Sequence, residues 1–164
     1  MPSSTLPDRS TAALEGMSAL PTRSGISFRG ITSTTSNPEI IVTRGFTATS
    51  RDPVVATAGF TSPGIAVVVG KNGRDVTPLS AHPAARETVF LPGTVFHTGW
   101  TINVDGHRVE VIEELTRDEY GQWSAQGINL SKLAEALRRI LAKAQNTACP
   151  VSIDYCQRFS DAIF

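Results

Sequence analysis

The chain has 164 residues, 40% of them hydrophobic, which suits one domain with a single core and leaves little room for two. Fifteen basic residues balance fifteen acidic ones, which argues against a general polyanion binder, and no apolar run approaches the roughly 18 residues of a membrane span. The first hundred residues carry eight Lys or Arg but only six acids: Asp8, Glu15, Glu39, Asp52, Asp75 and Glu87. Any carboxylate chemistry in that half therefore has few candidates. Two cysteines, Cys149 and Cys156, exclude a disulfide-dense scaffold and a four-cysteine zinc site, and are expected as ordinary semi-buried thiols. The N-terminus MPSSTLPDRS lacks the basic region and apolar core of a signal peptide. That leaves a cytosolic chain, delivery without a cleaved signal, or a piece of something longer.

Residues 1–24 form a Ser/Thr/Pro-rich lead with one helical turn expected around 11–20, and the rest, 25–164, reads as one domain. ISFRGI (26–31) is a strand with an arginine in its middle, which must reach solvent or find an anion. ITSTTSN (31–37) separates it from 40–50, IIVTRGFTATS, read as a strand entering a polar turn. Asp52-Pro53 places a cap and a first-turn proline before VVATA, a short helix. GIAVVVG (64–70) is a buried β run, followed by a long polar connection over 71–86 of the kind that often carries function. Glu87–Leu91 is a strand closed by Pro92-Gly93. Next comes a hairpin, 94–104 and 107–115, joined by the favoured turn pair Asp105-Gly106. Residues 116–164 form a helical extension: Leu133, Leu137, Ile140 and Leu141 recur at helical spacing across 130–145, opposite Lys132, Arg138, Arg139 and Lys143. The tail from Cys149 to Phe164, with Ile153, Tyr155 and Phe159, is expected to dock.

His82, His97 and His107 have no metal-ligand spacing and are read as structural. There is no nucleophile elbow, phosphate loop or dinucleotide fingerprint. Three polar features remain in fixed order: Phe28-Arg29-Gly30 in a strand, Phe46-Thr47-Ala48-Thr49-Ser50 after a strand, and Glu87 opening ETVFLPG. In this order they resemble the arginine–serine–glutamate class of the ADP-ribosyltransferase superfamily, found in bacterial toxins and effectors. The resemblance covers roughly residues 20–115.

The resemblance implies an α+β fold, a split mixed sheet with short helices to which this chain adds a C-terminal helix. It implies transfer of ADP-ribose from NAD to a macromolecular acceptor, a protein before a nucleic acid, with release of nicotinamide. No metal is implied. Arg29 would fork onto the diphosphate, as a guanidinium does on phosphate oxygens, and Gly30 would let the cofactor approach the backbone. Ala48, Thr49 and Ser50 would line the nicotinamide ribose, with Thr49 and Ser50 orienting it or the glutamate, and Phe60 would stack on nicotinamide. Glu87 would accept a ribose hydroxyl and stabilise the oxocarbenium-like centre. Arg29, Ser50 and Glu87 form the implied catalytic set, and 71–86 the target loop. Secretion, or delivery into a target cell to act in its cytoplasm, and a cognate immunity protein follow from the same resemblance; a membrane partner does not.

Two departures shape the alternatives. Ala48 stands where the pattern has its first serine, and Ala85 stands two before Glu87, where arginine modifiers have Glu. Ala85 leaves room for another acceptor, or for water and hence NAD glycohydrolase activity. Ala48 leaves room for a silent binding module that presents the helix at 130–145. Glu113 and Glu114 are read as a solvated strand end.

Overall fold

The computed structural model describes residues 9–31 and 40–160; Asp8, Glu39, Phe164 and most of the 31–37 stretch lie outside them. A short helix, α1 (Arg9–Ser18), precedes β1 (Thr22–Ile31), which starts inside the Ser/Thr/Pro-rich lead. β1 runs antiparallel to β4 (Gly64–Asp75), with Arg29 opposite Ala66 and Gly30 opposite Ile65. β4 lies parallel to β7 (His107–Arg117), β7 pairs antiparallel with β6 (Val95–Val104), and β2 (Ile40–Val42) closes that edge on β6. β8 (Trp123–Ser124) extends the far end of β7.

A two-stranded leaf splits from this sheet. β3 (Thr47–Ser50) pairs with β5 (Glu87–Phe90), and the leaf is tied back at two places: Ser50 opposite Phe28 in β1, and Val89 and Thr88 opposite Arg74 and Asp75 at the end of β4. The split mixed sheet expected of the α+β class is the architecture observed.

The apolar run of β4 buries both its faces, as a strand in a parallel pair must. Ala66 and Val68 pack with Phe90, Phe96 and Ile112 on one side. Ile65 and Val67 pack on the other with Phe28, Val109 and Val111. That second side is roofed by α3 (Leu130–Ala144), capped by Asn129 and laying down Leu133, Leu137 and Leu141, with Ile140 half-buried beside them. Asp52 caps α2 (Pro53–Ala56), its Oδ1 accepting the Val54 amide at 2.9 Å. In the β6–β7 turn, Asp105 and Gly106 both take positive φ, 48° and 87°, matching the right-handed twist of the flanking strands. No described helix is long and apolar enough to cross a membrane.

Three expectations are corrected. Residues 40–50 form two strands: the chain turns after Val42, where the Thr43 amide donates to Thr94 at 2.9 Å and its carbonyl accepts from Gly93 at 2.8 Å, so β2 closes one edge on β6 while β3 lies between β1 and β5 at the other end of the sheet. The polar connection begins only after Asp75, because the Glu114 carboxylate takes the amides of Lys71 (2.5 Å) and Asn72 (3.0 Å), which lets β4 continue through a polar stretch. For the same reason Glu113 and Glu114 are not a solvated end. Both are buried, and Glu113 accepts from the Gln126 amide.

Cys149 and Cys156 are both free, their sulfurs 3.5 Å apart in hydrogen-bond contact. Burial first, and then Cys149, push the Cys156 thiol up to about 12. An unfolded thiol titrates at about 8.5, so its ionisation favours the unfolded chain above that pH. The thiol's contribution to stability is complete below about 8.5 and is lost as pH rises towards 12, by up to about 1.4 kcal/mol per pH unit. Urea melts at pH 7.5 and 9.5 are expected to show this loss, and Cys156→Ala to show less of it.

Candidate active site

Strand alternation decides where Arg29 goes. Phe28 turns into the core under α3, so Arg29 turns to the opposite face. It is only 3% exposed there, and its Nη1 donates to the Ala48 carbonyl across the split between β1 and β3. A buried guanidinium is costly unless anionic or carbonyl oxygens surround it. Glu87 opens β5, directly opposite Ser50, and is also 3% exposed. The residue before it, Arg86, is held in the left-handed region at φ 49°, an uncommon conformation for a side chain of this size. Two backbone bonds maintain it, Arg86 to Pro83 at 3.1 Å and Arg51 to Arg86 at 3.0 Å. Arg29 and Glu87 meet in one cavity of about 360 Å³, lined also by Thr47, Ala48, Val89, Arg158 and, from α1, Met17. Among the described residues no cluster of His, Cys, Asp or Glu could hold a metal ion.

Thr49 and Ser50 lie beside the segment that carries Glu87. Ser50 Oγ donates to the Ala85 carbonyl at 2.6 Å and accepts the Asp52 amide at 3.0 Å, while Thr49 Oγ1 donates to the Thr88 carbonyl at 2.7 Å. Both hydroxyl protons are therefore spent on backbone, stitching β3 to the segment that carries Glu87. Gly30 is needed for packing: a Cβ there would sit 2.5 Å from Ser62 Oγ and 2.9 Å from the Ala56 carbonyl oxygen. Phe60, expected to stack on nicotinamide, does not line the cavity. Held at φ 63°, it packs on the core and faces the His107 ring at 5.6 Å.

Two residues on Glu87 escaped the sequence reading. The Tyr155 hydroxyl donates to Glu87 Oε2 at 3.0 Å, and Arg158 Nη2 pairs with Glu87 Oε1 at 3.0 Å. Both come from the docked tail: Tyr155 from α4 (Ile153–Cys156), whose Ser152 cap accepts the Tyr155 amide at 3.3 Å, and Arg158 from the turn after it. Spacing of three residues sets the guanidinium over the tyrosine ring at 4.8 Å, and buried Phe159 anchors the turn in the core. His82, from the loop before β5, covers the tyrosine ring at 4.2 Å. Burial, above all, raises the Tyr155 hydroxyl above its ordinary range, and the Glu87 carboxylate adds to that. A tyrosine and an arginine three apart in a tail expected to dock were the available signal. Tyr155→Phe leaves one buried carboxylate oxygen without its donor and is expected to lower stability by about 1–3 kcal/mol in urea denaturation.

No family model matches the chain, and no curated protein matches its sequence. Solved structures do. The SpvB ATR domain of Salmonella superposes with a TM-score of 0.50 at 18% identity, covering 65% of this chain and 70% of that one. The chain has the ADP-ribosyltransferase fold. Exoenzyme S of Pseudomonas aeruginosa, solved with human 14-3-3 protein beta and Carba-NAD, is 25% identical over 75% of this chain, with a TM-score of 0.49. Vis toxin, an ADP-ribosyltransferase from Vibrio splendidus, is 20% identical over 68% of this chain, with a TM-score of 0.48. The chain spans less than two thirds of each of these last two, 62% and 64%. Within an ADP-ribosyltransferase fold, the split between β1 and the β3–β5 leaf is the feature that gathers Arg29 and Glu87.

Proposed function

We propose that the chain cleaves NAD in the cavity at this split and passes ADP-ribose to a macromolecular acceptor, as a mono-ADP-ribosyltransferase toxin or effector. One observation carries the reading: a buried arginine and a buried glutamate, 58 positions apart in sequence, share one cavity. Arg29 holds the diphosphate. Glu87 accepts a hydroxyl of the nicotinamide ribose and opposes the positive charge that grows there as nicotinamide departs. Ser50 and Thr49 act through the backbone, fixing the turn and strand that aim Glu87. Tyr155 holds the carboxylate's rotamer, and Arg158, 46% exposed at the mouth, is the group that an incoming substrate can displace. The acceptor, delivery into a target cell and an immunity protein belong to this proposal.

A second reading, hydrolysis of NAD by water, is favoured by Ala85. Its side chain is fully buried in the core, so the position from which a family glutamate would meet an arginine acceptor is closed here. Incubation with labelled NAD and a lysate of susceptible cells separates the two. Labelled macromolecules that disappear with Glu87→Ala support transfer, whereas nicotinamide release without label supports hydrolysis. Neither product from the wild type refutes both.

A further inference from the structure

A pronounced charge imbalance lies away from Glu87, on the Phe28 side of β1. There a cavity of about 470 Å³ opens between β1, the start of α2 and the last turns of α3, and it shares no lining residue with the cavity of Arg29. Four cations surround it, Arg23, Arg51, Arg86 and Lys143, against one lining acid, Asp52, whose Oδ1 is engaged in capping α2. Arg23, Arg86 and Lys143 are exposed at its rim, while the Arg51 side chain is 14% exposed. Arg51 meets Asp75 at 3.2 Å and Thr77 Oγ1 at 3.0 Å, yet its Nε has no hydrogen-bond partner among the described residues. Burial, above all, depresses the Arg51 pKa; Asp75 counters this, while Arg23 and Arg86 press it further down. Like charges gathered around a partly dry guanidinium repel one another unless an anion joins them. Apart from Thr147, the remaining wall is apolar, with Ile26, Phe28, Pro53 and Ile140 as its larger side chains.

We propose that this cavity binds a free nucleotide, its phosphates held by Arg23, Arg51 and Lys143 and its base laid on the apolar wall. Guanidinium forks match phosphate oxygens in pairs, and a cavity of a few hundred cubic ångströms with an apolar wall and a few convergent polar groups is of ligand size. This inference does not rest on the NAD reading, because the two cavities are lined by different residues.

Calorimetric titration of ADP into the full chain tests it, with Arg23→Gln/Lys143→Gln as the variant, since both side chains are exposed and can be neutralised without disturbing the core. ADP is expected to bind the wild type more tightly than adenosine does, and about tenfold or more weakly in the double variant. Binding is expected to persist in Arg29→Gln, whose side chain lines only the other cavity, with a thermal melt to confirm that the β1–β3 junction is intact. The proposal is overturned by absence of ADP binding at millimolar concentration or by equal affinity in the double variant. It is also overturned if ADP binding is lost only in Arg29→Gln, which assigns it to the other cavity. A short single-stranded oligonucleotide that binds where ADP does not would overturn the free-nucleotide source in favour of a nucleic-acid backbone.

Discussion

Glu87→Gln is expected to slow NAD cleavage about 100- to 1000-fold, with kcat carrying the loss and KM for NAD nearly unchanged. The size is that of removing one preorganised group facing charge that develops only in the transition state. Glutamine keeps the shape of the side chain and can still lie beside Tyr155, so the buried end of β5 stays filled. It cannot oppose a positive ribose centre. The ion pair with Arg158 is lost too, but that guanidinium is half in solvent and the loss is expected to cost stability little. Steady-state kinetics of nicotinamide release, with a thermal melt as a control for folding, check the expectation. Equal kcat in wild type and variant removes Glu87 from the chemistry.

Arg29 gives the second large effect, and it falls on affinity. A charged hydrogen bond to a ligand is worth about 1.5–3 kcal/mol, and each 1.4 kcal/mol is a factor of ten. Arg29→Gln is therefore expected to weaken NAD binding about 10- to 100-fold. Arg29→Lys keeps the charge but not the fork, and is expected to fall between glutamine and wild type. The side chain's contact with the Ala48 carbonyl means that either variant also loosens the β1–β3 junction, so a melt belongs beside each binding curve. An unchanged Kd in Arg29→Gln contradicts a diphosphate role.

What could be read from sequence was local. Helical spacing in 130–145, the Asp52-Pro53 cap and the Asp105-Gly106 turn each specify an element within a few residues, and each recurs in the fold. Arg29 and Glu87 were singled out by the fixed order of three motifs and its resemblance to a family, and the fold brings the two side chains to one cavity. The rest depended on long-range pairing. Nothing within 40–50 says that Ile41 will face Phe96 while Thr49 faces Thr88, which is why two strands read as one. Glu114 reads as a surface acid until β4 brings two backbone amides to it. Phe60 sits among three consecutive positive φ values, at Ala58, Gly59 and Phe60, and that backbone path turns its ring towards His107. Tyr155 and Arg158 reach Glu87 from about 70 residues away, a contact made by folding the tail across the split.

A crystal structure of the chain with a hydrolysis-resistant NAD analogue would test the proposed site most directly. The expected result places the diphosphate on Arg29 and the nicotinamide ribose against Glu87, with Arg158 moved off the carboxylate. An analogue bound in the arginine-rimmed cavity alone, or absent from the split between β1 and the β3–β5 leaf at saturating concentration, would contradict it.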